Sequence, residues 1–136
     1  MDKNLFSKNI IFGFFTWLIP FIISILFYSP SGEIIIDDFF FKSLMITISS
    51  ITGCVFLIQY FKNVGIHFIK TGVAIGLSWI IIGIILDIII LIPTMNLTIT
   101  GYLTLISLRY VVILLISITI GYFLNKKNKV LFYSRQ

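Results

Sequence analysis

The sequence is short of what a water-soluble domain needs on its surface. Only 11% of its 136 residues are charged, against about 25% in an ordinary soluble domain. That excludes a soluble globule, and it excludes a disordered chain, which needs high charge and few apolar residues. A single cysteine, Cys54, excludes an intrachain disulfide and any multi-cysteine metal site. A single histidine, His67, near Lys70 in the stretch between two apolar runs, reads as interfacial and not as a base or ligand. No His/Cys/Asp/Glu cluster has metal-ligand spacing. No P-loop, dinucleotide fingerprint or nucleophile elbow is present. The expectation is therefore no enzyme activity, no catalytic residue, no metal and no cofactor.

What the sequence has in quantity is oil. Hydrophobic residues make up 59%, and the mean hydropathy is +1.12. A bilayer core takes about 20 apolar residues per helix. Four runs meet that length, at about 10–28, 39–61, 71–92 and 102–124. They predict one all-α domain: an integral membrane four-helix bundle, antiparallel and up-down-up-down, with a basic tail at 125–136. Lys3 and Lys8 precede an apolar stretch too long for a signal peptide, and no A-x-A-like site follows, so the first helix is expected to stay attached.

The net charge of +5 does not imply nucleic acid, because the basic residues flank apolar runs. Lys3, Lys8, Lys62, Lys70, Lys126, Lys127, Lys129 and Arg135 fall on one side of a four-pass chain. The opposite side has Lys42, Glu33, Asp37 and Asp38, and an uncharged stretch from Pro93 to Gly101. By the positive-inside rule both termini face the cytoplasm. The chain holds far more isoleucine than leucine, and Ala74 is its only alanine, a bias expected of an AT-rich prokaryotic genome. The expected location is the plasma membrane of a prokaryote. The expected partners are the lipid bilayer and further copies of the chain, with the small-molecule ligand unknown. The segment 32–41 reads as an interfacial loop or the start of the second helix, with a short amphipathic helix as the alternative.

In lipid, small and polar residues mark the packed face of a helix. At 100° per residue, Gly72, Gly76, Trp79, Gly83 and Asp87 share an arc of about 80°. Gly72, Gly76 and Gly83 are read as a packing seam. The first helix places Gly13, Trp17, Pro20, Ser24 and Tyr28 on one stripe. The second places Ser43, Thr47, Ser50 and Cys54 on another, continued by Leu57 and Phe61, read here as its inward face.

Two ionisable residues lie inside predicted spans, Asp87 and Arg109. A charge in hydrocarbon costs about 2.5–3.5 kcal/mol on insertion scales, so each seeks a partner. Asp87 is six residues before Pro93, about 9 Å in, and Arg109 is seven past Tyr102, about 10 Å in. Matching depth predicts a direct Asp87–Arg109 ion pair, with the phenols of Tyr102 and Tyr110 within reach and Trp79 on the Asp87 face. The pair reads either as a clasp between helices or as an intramembrane binding site.

The run from Trp79 to Asp87, then Leu91 and Pro93, then Tyr102 and Leu108-Arg109-Tyr110, resembles a group of small uncharacterised prokaryotic four-span membrane proteins. The resemblance covers the C-terminal half and implies a fold and no activity. By size the chain also resembles the small multidrug resistance transporters, but the glutamate they need in the first helix is missing here. Two readings of function stay open: a small polytopic protein that binds or transports a small solute as an oligomer, and a structural or interaction subunit that packs against a larger membrane partner.

Overall fold

The computed structural model describes residues 3–30, 33–95 and 107–133, with the side chains at 3, 94–95, 107–109 and 131–133 left out of the description. Helix α1 spans Lys3–Ile25 and passes through Pro20 without a break. Helix α2 spans Asp38–Phe61, α3 spans Phe68–Leu86 and α4 spans Ser107–Tyr133. All four are long and apolar enough to cross a membrane, and among the described residues no named strand occurs.

The helix bounds differ from the apolar runs in an instructive way. Helix α1 starts at Lys3, not near residue 10, and ends at Ile25, before Tyr28. Its first two turns are polar yet helical, because lysine, asparagine and serine at a helix end can face water. Tyr28 leaves the helix for an isolated antiparallel bridge with Ile34. The Ile35 N–H donates to the Phe27 carbonyl at 2.9 Å, and the Ser29 N–H to the Glu33 carbonyl at 2.8 Å. The residues described ahead of α2 therefore form a pinned turn and no amphipathic helix. Helix α4 runs on through the basic stretch that follows its apolar run.

Local chemistry sets the ends of α2. Asp37 is the N-cap, its carboxylate accepting the Phe40 N–H at 2.9 Å, and Asp38 adds a negative charge in the first turn. Lys42 pairs with Asp38 one turn on. The last turn closes through Asn63 N–H to the Tyr60 carbonyl and Val64 N–H to the Phe61 carbonyl. His67 then enters α3 with φ 56°, the left-handed region. Histidine is among the residues that tolerate it.

Beyond α3 the chain makes a π turn, Asp87–Leu91, and one further helical turn, Ile92–Met95. Pro93 explains the wide turn: it has no N–H for the carbonyl of Ile89, and its ring crowds that carbonyl. The Ile92 N–H instead donates to the Asp87 carbonyl, five residues back.

The helices form a ring in which α1 touches α2 and α3, and α4 touches α2 and α3, with α3 against α4 the most extensive contact. Glycine makes that contact close. A Cβ on Gly72 would lie 2.6 Å from the Ser117 carbonyl oxygen, one on Gly121 2.6 Å from the Phe68 carbonyl oxygen, and one on Gly76 2.7 Å from Leu114. The Ser117 hydroxyl also donates to the Gly72 carbonyl oxygen. The core gathers Leu57, Tyr60, Phe61, Phe68, Ile75, Trp79 and Ile113. Outside it the surface is apolar: Phe39, Ile89 and Phe123 are exposed by 79%, 64% and 63%. A water-soluble monomer does not show so wide an apolar exterior.

Only the end of the stripe read on α2 faces inward: Leu57 and Phe61 are buried, whereas Ser43, Thr47, Ser50 and Cys54 are not. Ser43 and Thr47 are exposed, Ser50 and Cys54 half-buried. The three hydroxyls donate to carbonyls of their own helix four residues back, at 2.8–2.9 Å. A hydroxyl satisfied in this way has no need of a neighbouring helix. The buried face holds Phe41, Met45, Ser49, Thr52, Gly53, Leu57, Tyr60 and Phe61.

Tyr28 lies outside the four long helices, with its ring 5.8 Å from that of Phe41. Burial raises its phenol above the ordinary 10.0, and the charge of Asp38 raises it further. The phenol's protonated state therefore favours the fold below about pH 10, and this contribution is lost as pH rises through the higher folded value. Tyrosinate absorbance, taken as the difference between the parent and Tyr28→Phe, should place its midpoint above 10. Asp38→Asn should lower that midpoint without returning it to 10, because burial is the larger cause. A midpoint unmoved by Asp38→Asn would contradict this.

Candidate functional site

Asp87 closes α3 and opens the π turn, and none of its surface is exposed. Its carboxylate is met from two other helices. The Trp17 indole Nε1–H of α1 donates to Oδ1 at 2.6 Å, and the Tyr110 hydroxyl of α4 donates to Oδ2. Three helices thus converge on one carboxyl group. Each donor has its own support. The Trp17 ring stacks on Phe21, with centroids 4.8 Å apart and planes 15° apart. The Tyr110 ring lies against Gly83, one turn before Asp87, where a Cβ would fall 2.5 Å from the ring. Tryptophan and tyrosine suit such a place, since each brings an apolar body and one polar atom.

Trp79 does not reach Asp87. Its Nε1–H points to Asn9 of α1, with the side-chain oxygen at 2.8 Å and the carbonyl at 3.0 Å. The Asn9 amide donates to the Ser78 hydroxyl at 2.8 Å. Gly13 makes room, since a Cβ there would fall 2.8 Å from the Trp79 ring. The α1–α3 contact therefore holds one polar knot, Asn9–Ser78–Trp79, and shares a second, Trp17–Asp87–Tyr110, with α4. Every buried side-chain nitrogen and oxygen among the described residues has a hydrogen-bond partner.

Arg109 is the residue before Tyr110 on α4, and its side chain lies outside the described residues, as does Tyr102 altogether. The expected Asp87–Arg109 pair lies there too. Trp17 and Asn9 were absent from the sequence-based site. Asn9 fell outside the apolar run that defined the first helix. Trp17 offered a signal: a tryptophan on the Gly13 stripe needs an acceptor, and Asp87 is the one acid well inside an apolar run. Among the described residues no three of His, Cys, Asp and Glu come together as a metal site.

Compared with known proteins, the chain matches no family model, and no curated protein or solved structure resembles it significantly.

Proposed function

We propose that this chain is a multi-pass protein of a prokaryotic plasma membrane, with antiparallel helices and both termini cytoplasmic, that binds or moves a small solute at Asp87. One observation carries the reading: a fully buried carboxyl group in an apolar helix, held by donors from two other helices at the start of a π turn. Ionisable groups within a membrane mark binding sites and pathways by default. Interruptions of the π type are frequent at functional sites.

In this proposal the carboxylate accepts from Trp17 and Tyr110, with the Arg109 guanidinium as its charge partner. A solute that brings its own hydrogen-bond donors takes the place of one aromatic donor. Releasing that donor loosens α1 or α4 from α3, which couples binding to helix movement. The proposed role is non-enzymatic. The working unit is a homo-oligomer, a reading supported by how little of each candidate span is buried, between 22% and 33%.

The test is reconstitution into liposomes with a flux screen over small polar solutes. Flux should be present in the parent, lost in Asp87→Asn and weakened in Tyr110→Phe. Flux that survives Asp87→Asn would remove Asp87 from the site. No flux for any solute, with insertion intact, would favour the second reading, a structural subunit packing against a larger membrane partner. That reading is favoured by the closure of the carboxyl, whose two oxygens are both already engaged.

The proposed ion pair has its own test. Asp87→Asn keeps an oxygen for Trp17 and gains an amide that can donate to the Tyr110 hydroxyl. The aromatic contacts survive, and what is lost is the charge. Asp87→Asn and Arg109→Gln should then each destabilise more than the double change, by about 1 kcal/mol or more, because one lone buried charge is worse than none. Additive losses in a denaturation cycle would refute the pair.

A further inference from the structure

The fold brings lysines from α1, α3 and α4 and from the α2–α3 turn to one end of the ring. Lys8 of α1 reaches Asn63 beyond α2, its Nζ 3.4 Å from the side-chain oxygen. Lys62 stands at the end of α2, and Lys70 in the first turn of α3. Leu5, Phe61, Val64, Phe68 and Leu124 share one core cluster, which joins these helix ends. Gly121 of α4 lies against Phe68, so Lys126 to Lys129 stand about 7–12 Å beyond that level at 1.5 Å per residue. Lys8, Lys62, Lys70, Lys126, Lys127 and Lys129 are exposed. Among the described residues no acid stands at this end: Glu33, Asp37 and Asp38 lie between α1 and α2 or in the first turn of α2, at the other end. On α4 the lysines share an arc of about 160° with Tyr122, Phe123 and Val130, which are exposed by 54%, 63% and 61%.

We propose that this end of the bundle is a docking surface for anionic phospholipid headgroups. The six lysines take the phosphates, and Tyr122, Phe123 and Val130 enter the interfacial layer beside them. A free phosphate would use the lysines alone, whereas the apolar side chains on the same face of α4 fit an amphiphile. Basic residues near an anionic leaflet contribute about 1 kcal/mol each, or roughly fivefold in affinity per lysine. The inference rests on the membrane reading above.

The full chain is reconstituted into vesicles of equal parts phosphatidylglycerol and phosphatidylcholine. The lipids it carries after extraction are then measured by native mass spectrometry. The parent should be enriched in phosphatidylglycerol. The triple variant Lys126→Gln, Lys127→Gln, Lys129→Gln should lose most of that enrichment, up to about a hundredfold in affinity. The matching Lys→Arg triple should keep it, and raised salt should weaken it. Inorganic phosphate at matched ionic strength should not compete. Equal retention of both lipids, or a Gln triple with the parent's preference, overturns the docking surface, as does competition by inorganic phosphate. Failure to insert into vesicles of either lipid alone would overturn the membrane reading itself, so the two failures are distinguishable.

Discussion

Replacing Gly72 or Gly121 by alanine should each destabilise the bundle by about 1–3 kcal/mol, the usual range for overpacking a tight contact. In both cases the new methyl would meet a backbone carbonyl oxygen at 2.6 Å, that of Ser117 or of Phe68. A carbonyl in a helix cannot turn aside as the tip of a side chain can, so α3 and α4 must separate. Separation at Gly72 also breaks the bond from the Ser117 hydroxyl to the Gly72 carbonyl. Gly53→Ala is the control. There the nearest atoms lie at 3.8 Å, an ordinary contact, and alanine gains up to about 1 kcal/mol of helix preference over glycine. Unfolding in mixed micelles should therefore show opposite signs for the same chemical change. Equal effects at Gly53 and Gly72 would mean that close helix approach is not what the glycines provide.

Asp87→Ala should cost about 2–4 kcal/mol. It strands two buried donors, at about 1–3 kcal/mol each in water-soluble proteins. Within membranes such bonds average nearer 0.6 kcal/mol because the unfolded chain also finds partners. The upper part of the range therefore depends on the cavity left between α1, α3 and α4. The indole of Trp17 decides the asymmetry. Tyrosine can turn its hydroxyl toward another acceptor, whereas the indole N–H is a donor only and has a single direction. Trp17→Phe introduced into Asp87→Ala should recover part of the loss, and Tyr110→Phe should recover less. A loss below about 1 kcal/mol for Asp87→Ala, by the same unfolding measurement, would show that the carboxyl is not a cornerstone of helix association.

The four helices were legible because length and apolarity together are hard to satisfy by chance, and the acid inside the third run stood out for the same reason. Their ends were harder to read. Hydropathy marks where oil gives way to water, and a helix can continue past that point, as α1 does toward Lys3 and α4 does toward Tyr133. The face of α2 was misread because hydroxyls were taken as interhelical glue. Ser43, Thr47 and Ser50 satisfy themselves within their own helix, and so does Thr52 on the buried face, so hydroxyls alone do not mark the side that turns inward. Trp79 was drawn toward Asp87 by its place on the stripe, but direction along a helix matters as much as angle, and Asn9 stood nearer. Pro93 signalled an interruption, yet not that the wide turn would begin at the acid.

Trp17 and Trp79 are the only two tryptophans in the chain. Each donates its indole N–H into a different buried knot, one to Asp87 and the other to Asn9. The tryptophan fluorescence of the protein, excited to the red of tyrosine absorption, therefore comes wholly from these two places. With either tryptophan replaced by phenylalanine, the remaining emission reports on one knot alone, and ligand arrival or local opening at each can be followed without an attached dye.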